Sequence, residues 1–138
     1  MTETARPLAL GVIPARGGSK RLPRKNIRPL LGKPMLVYTI EAAARADMLT
    51  DFLVSTEDGE IAAIAKEHGA LVPFVRPPEL ATDSVRNIDV VLHALDFMEN
   101  ERGFVYDMVV LLQPTSPIRD PRHIDRAVTL LAQSDLPT

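Results

Sequence analysis

Short apolar runs alternate along this chain with longer stretches in which apolar residues recur every three or four positions. No other feature constrains the fold as much. The runs are "LALGVI" (8–13), "DFLVST" (51–56), "ALVPFVR" (70–76) and "YDMVVLLQ" (106–113). Their length and β-branched content predict strands. The third is the weakest, because Pro73 has no N–H to give to a ladder and belongs at an edge. The fourth is apolar on both faces and reads as a central parallel strand. Between them, 34–46 predicts a helix with Pro34 in its first turn and Met35, Leu36, Thr39, Ile40, Ala43 and Ala44 along one side. Asp58 is placed to cap a helix through 59–69, with Ile61, Ile64 and Ala65 as its stripe and Gly69 as its stop. A longer helix follows "TDS", with Val85, Ile88, Val91, Leu92, Leu95 and Met98 at helical intervals. Another starts at Asp120 and Pro121 and continues through Ile124, Ala127, Val128 and Leu131.

Four strands, each followed by a helix, require crossover connections, so the expected fold is α/β with a parallel sheet and helices on both faces. Ligands of such sheets bind beyond the carboxyl ends of the strands, where the winding reverses. With a strand order of the 3-2-1-4 kind, the first and fourth strands are neighbours. The loops that leave them, 14–26 and "QPTSPIR" (113–119), then face one another.

The first of these loops is unusual. "PARGGSKRLPRKN" holds Arg16, Lys20, Arg21, Arg24 and Lys25 and no acid, in a chain with 16 Lys plus Arg against 18 Asp plus Glu and a formal net charge of −2. It is either a solvated basic loop or a receptacle for an anion with several charges. Gly17 and Gly18 permit close backbone approach, Ser19 adds a hydroxyl, and the cations add charge, which is what phosphate binding needs. No G-x-x-x-x-G-K-[ST] or G-x-G-x-x-G is present. The position directly after the first strand favours a site. Mild overall acidity and only 4% aromatic residues argue against RNA or DNA as the partner. The chain has no Cys, so disulfides, thiolate metal sites and a Cys nucleophile are excluded within it. No apolar run approaches the ~18 residues of a membrane span, and the expectation is a cytoplasmic protein that contacts no membrane. His68, His93 and His123 have no mutual metal-ligand spacing, and Glu57/Asp58 and Asp96/Glu99 read as capping and solvated-face residues.

The segments "IPARGGSKRLPRKNI", "LLGKPMLVYTI", "FLVSTEDGEIAAIAKEHGA", "RPPELATDS" and "LLQPTSPIR" occur in this order. Together they resemble the amino-terminal part of the acylneuraminate cytidylyltransferases, which include the CMP-sialic acid synthetases and relatives acting on legionaminic or pseudaminic acid. The similarity runs from about Leu10 to about Ala132. It implies a three-layer αβα fold with a mainly parallel, Rossmann-like sheet of the nucleotide-diphospho-sugar transferase type, incomplete within these residues. It also implies transfer of CMP from CTP to the anomeric hydroxyl of a nine-carbon keto-sugar acid, with release of pyrophosphate. By the same resemblance Arg16, Ser19, Lys20, Lys25 and Asn26 hold the triphosphate, and Arg16, Lys20 and Lys25 supply the catalytic charge. Ala15, Gly17 and Gly18 complete the nucleotide-binding turn. Arg76 matches an arginine that contacts the cytosine, the alternative being a loop arginine paired with Glu79 or Asp83. Asn87 stands where relatives often place Ser, close to the base, and Gln113 matches a residue near the acceptor sugar. Such chemistry rests on positioning and on neutralising charge, which suits a cation-rich loop.

Relatives of this kind are longer, and their carboxy-terminal part carries a D-x-D-like pair for catalytic Mg²⁺ and a segment that forms a homodimer. The sequence ends at "SDLPT", before any such motif. The expectation is therefore a single nucleotide-binding α/β domain over 1–138 that holds CTP and turns over little by itself. The alternatives are a nucleotidyltransferase for another sugar or base, such as 3-deoxy-octulosonate or guanylyl transfer, and a non-catalytic nucleotide-binding fragment.

Overall fold

The structure is a computed structural model and describes residues 7–17, 29–82, 84–114, 121–122 and 124–125. Strand β1 (Ala9–Pro14) is followed by a small hairpin of β2 (Pro29–Leu30) and β3 (Lys33–Pro34), then by helix α1 (Met35–Arg45). Strand β4 (Asp51–Ser55) leads into α2 (Gly59–Glu67), and a short 3₁₀ turn (Pro78–Leu80) precedes α3 (Asn87–Arg102) and strand β5 (Met108–Leu111). Pro121, Arg122, Ile124 and Asp125 are helical.

β1 pairs in parallel with β4 on one edge and with β5 on the other, giving the order β4-β1-β5. In register, Leu10 to Pro14 oppose Asp51 to Ser55, and Ala9 to Val12 oppose Met108 to Leu111. Leu71 forms one parallel bridge to Leu53 on the other side of β4. The expected 3-2-1-4 order is therefore present, but the third run is reduced to a bridge rather than a strand over 70–76. The Val54 N–H reaches the Leu71 carbonyl at 2.9 Å and the Arg76 N–H reaches the Thr56 carbonyl at 2.9 Å. Pro73 lies between them without a donor, and the ladder lapses there.

The two sides of the sheet follow from strand alternation. Ile13, Val54 and Leu112 point to one side and pack with Leu36, Ile40, Ala43, Ile61, Ala65 and Ile124. Leu10, Val12 and Leu53 point to the other and pack with Ala94, Met98 and Tyr106. Thus α1, α2 and the helical residues 121–122 and 124–125 cover one face and α3 covers the other, in a three-layer αβα arrangement. Each large aliphatic residue sealed in this way contributes about 1.5–3 kcal/mol.

Local chemistry explains the helices. Pro34 stands just before α1 in extended backbone, not in its first turn, and closes the hairpin opposite Pro29. Asp58 caps α2 as expected: its Oδ1 accepts the N–H groups of Glu60 at 2.9 Å and Ile61 at 3.0 Å. α3 stops at Gly103, whose φ of 78° places it in the left-handed region, with its N–H on the Glu99 carbonyl at 3.0 Å.

Some helix faces are rotated from the expected stripes. In α1, Ala42 is buried while Ala44 is exposed. In α3 the buried residues are Val90, Ala94 and Met98, while Ile88 and Leu92 remain 49% and 54% exposed. The four-residue spacing of Val90, Ala94 and Met98 puts the small Ala94 against β1, which lets the helix approach closely. Apolar periodicity alone weighted the larger residues. The strand over 106–113 is also placed differently: among the described residues β5 is outermost and half-buried, and β1 is central with residues 9–13 sealed. β5 is apolar on both faces because helices cover both, not because strands flank it.

At the amino end of the sheet, the Tyr106 hydroxyl donates to Asp51 Oδ2, and Arg102 Nη2 donates to Asp51 Oδ1 at 2.9 Å. Burial, reinforced by the Asp51 carboxylate, pushes the Tyr106 phenol up to about 12. A folded value above the ordinary 10.0 means that the unfolded chain loses this proton first as pH rises. Tyr106 therefore stabilises fully below pH 10 and progressively less toward pH 12. Urea unfolding of Tyr106→Phe is expected to show a loss of about 1 kcal/mol at neutral pH, and a gap to the unmodified protein that narrows above pH 10.

Candidate active site

All three parallel strands end at the same side of the sheet, so Ala15 to Gly17, Thr56 to Asp58 and Leu112 to Pro114 form one rim. The winding reverses at β1, which has β4 on one edge and the later strand β5 on the other. The rim beside β1 is thus where a ligand of this fold class binds.

The turn after β1 stays tied to β4. The Ala15 N–H donates to the Ser55 carbonyl at 2.9 Å, one residue beyond the strand, and Ala15 is fully buried. Arg16 follows, and its Nη1 lies 3.4 Å from the Ala81 carbonyl. Gly17 comes next, held from two directions. Its N–H points between the carboxylate oxygens of Glu57, at 3.0 Å from Oε2 and 3.3 Å from Oε1. The Asp58 side chain fills the space where a Cβ on Gly17 would stand, which would be 2.5 Å from Oδ2 and 2.7 Å from the Asp58 Cβ. Glycine is required here by an acidic side chain of the same protein.

Arg76 lies beneath this turn at 3% exposure. Its Nε donates to Ser55 Oγ at 3.0 Å, Nη2 to the Ser55 carbonyl at 2.8 Å and Nη1 to the Leu80 carbonyl at 3.2 Å. Burial lowers its pKa; the Glu57 carboxylate opposes that shift, and nearby Arg16 adds to it. Arg76 is therefore a sealed cation fixed to the end of β4. Its hydrogen bonds run to Ser55 and Leu80, while Glu79 is exposed.

The structure thus joins Ala15, Arg16, Gly17 and Arg76. Asn87 is exposed at the first residue of α3, and Gln113 is half-buried two residues past β5, on the same rim as Gly17. Gly18, Ser19, Lys20, Lys25 and Asn26 lie outside the described residues, as does most of the facing loop 113–119. Sequence reasoning missed Glu57, which it grouped with capping and solvated-face acids. The signal was available: Glu57 follows β4 by two residues and so belongs to the same rim. Among the described residues, no group of three or more His, Asp or Glu converges on a metal position. Glu57 and Asp58, the acids that touch the glycine turn, serve the Gly17 amide and the start of α2, so these residues do not make a Mg²⁺ site.

Gly17→Ala is expected to push the 57–58 turn away and cost about 1–3 kcal/mol. Adding Asp58→Gly, which frees the space, is expected to return part of that loss, a coupling that a double-mutant cycle in urea measures directly.

Comparison with known proteins agrees with this fold. Residues 10–137 match the family described as cytidylyltransferases. A CMP-N,N'-diacetyllegionaminic acid synthase of Legionella pneumophila is 46% identical over 121 residues, covering 88% of this chain and 52% of that protein. An N-acylneuraminate cytidylyltransferase of Escherichia coli is 44% identical over 121 residues, covering 88% of this chain and 27% of that protein. Among solved structures, a CMP:2-keto-3-deoxy-manno-octonic acid synthetase complexed with CTP superposes with a TM-score of 0.78 at 26% identity, covering 94% of this chain and 50% of that one. The chain spans about half the length of the Legionella protein and of that synthetase, and about a quarter of the Escherichia coli protein. With its family matched across nearly all of its length, the chain belongs to the cytidylyltransferases.

Proposed function

We propose that these 138 residues form the CTP-binding part of a cytidylyltransferase that activates a nine-carbon keto-sugar acid of the acylneuraminate type. In the reaction the anomeric oxygen of the sugar acid forms a bond to the α-phosphorus of CTP as the bond from that phosphorus to the bridging oxygen of the β-phosphate breaks. The hydroxyl proton is released to solvent, and pyrophosphate leaves with the electron pair. The observation that carries this reading is the Arg16–Gly17 turn at the end of β1, set over the sealed guanidinium of Arg76.

Each part has a physical task. Arg16, Lys20 and Lys25 neutralise the triphosphate and the departing pyrophosphate; Ser19, Asn26 and the backbone at Gly18 add neutral hydrogen-bonding groups. Asn87 offers the base a donor and an acceptor, and Gln113 offers the sugar an amide. Arg76 adds fixed positive charge under the nucleotide. Mg²⁺ belongs to this reading, with ligands from outside the described residues, as do a homodimer and a cytoplasmic location. Among the described residues no helix is long and apolar enough to cross a membrane.

The choice of acid follows sequence likeness. The relatives at 37–46% identity carry the names of legionaminic, acylneuraminic and pseudaminic acids. A second reading, an eight-carbon 3-deoxy acid, is favoured by the octonic acid synthetase, whose likeness is 26%. Binding of each acid to the CTP-loaded protein separates the two.

Calorimetry with CTP, UTP, GTP and ATP is expected to rank CTP first, and equal affinities would contradict a cytidylyl site. Lys20→Ala or Lys25→Ala is expected to weaken CTP binding about tenfold or more, since a hydrogen bond to a charged group contributes about 1.5–3 kcal/mol. The melting temperature should hardly move, because charges that serve a ligand rather than the core stabilise little. Unfolding of either variant would make the loop structural instead.

A further inference from the structure

The acid that sequence reasoning set aside has a task of its own. Glu57 is the second residue after β4 and leans across to the turn after β1, where both its carboxylate oxygens meet the Gly17 N–H. The same carboxylate offsets the cost of burying Arg76, a cost to which the like charge of Arg16 adds. The neighbouring Asp58 closes the other side of Gly17 while its Oδ1 caps α2. Consecutive acids thus hold the root of the basic segment from the next strand.

An anion-binding turn normally aims its amides outward. Here the Gly17 amide is turned inward and engaged, so it does not serve as a phosphate donor in this arrangement. Its engagement fixes the direction in which the chain leaves β1, and with it the position of Arg16, whose guanidinium reaches the Ala81 carbonyl across the rim. Arg76 reaches the adjacent Leu80 carbonyl, so both arginines meet the 78–81 turn. A carboxylate acting on Arg76 against the like charge of Arg16 lets the two cations stand near each other before any ligand arrives.

We infer that Glu57 is a positioning residue of the nucleotide site: through the Gly17 amide and the Arg16–Arg76 pair it presets the cationic turn that receives the triphosphate. This inference rests on the nucleotide reading proposed above. The charge of Glu57 also offsets the burial of Arg76, so its positioning role is read from exchange at the Gly17 amide and from recovery by Gln, which a charge-only role would not give. That role differs from a competing-anion role, in which the carboxylate would occupy the turn until phosphate displaces it.

The test uses the 138-residue protein with Glu57→Ala and Glu57→Gln, read by CTP calorimetry, by the thermal midpoint and by hydrogen exchange at the Gly17 amide. Glu57→Ala is expected to weaken CTP binding about tenfold, speed exchange at Gly17, and leave the midpoint within a few degrees. Glu57→Gln keeps an acceptor oxygen and is expected to recover slow exchange and part of the affinity. Tighter CTP binding by either variant would overturn the inference in favour of a competing anion. Affinity lost only together with the midpoint would overturn it in favour of a structural role. Failure of the unmodified protein to bind CTP would contradict the nucleotide reading, and the exchange data would still decide whether Glu57 holds the turn.

Discussion

The pairing of β1 on both its edges is the constraint on which the rest of the molecule depends. Because β4 and β5 both run parallel to it, the three carboxyl ends fall on one rim, and every connection must cross a face of the sheet to return. The helices then cover both faces. Leu10 and Val12 serve one layer and Ile13 the other, so a six-residue strand sits in two hydrophobic clusters at once. Polar chemistry is left to the rim, where backbone groups beyond the strands still need partners.

Those partners build the site. The Ser55 carbonyl takes both the Ala15 N–H and Arg76 Nη2, which joins β1, β4 and the segment after α2 through one oxygen. A cation sealed at 3% exposure is costly unless its hydrogen bonds are made and an opposite charge is near. Arg76 meets both conditions through Ser55, Leu80 and Glu57. Fold and site are thus not separable here: the groups that secure the strand ends are the groups that place the charges.

Much of this was legible in the sequence. Runs of β-branched residues separated by helical stretches specify a parallel sheet, and the position of Ala15 to Gly17 directly after the first of them puts these residues at the rim. Asp58 as a cap and Gly69 as a stop follow from chemistry that acts within a few residues. What escaped has a common cause, dependence on the neighbour across the sheet. Ala94 is a core residue because β1 comes close to it, and Ile88 is exposed although it is larger. The third run lost its ladder at Pro73, whose missing donor was readable but whose effect depended on spacing to β4. Glu57 looked like one of many surface acids until the β4 end was set beside the β1 turn. The Gly17 requirement likewise lies in Asp58, 41 residues further on, and not in the turn's own conformation.

Family membership and geometry meet at the rim, and one measurement tests their union most directly. Backbone amide shifts of the isotope-labelled protein can be followed as CTP is added. The expected result is a set of perturbations concentrated at Ala15 to Gly17, Thr56 to Asp58, Arg76 and Gln113, with Asp51, Arg102 and Tyr106 at the opposite end unchanged. Perturbations gathered at that opposite end, or none near Arg16 at saturating CTP, would contradict a nucleotide site at the carboxyl ends of these strands.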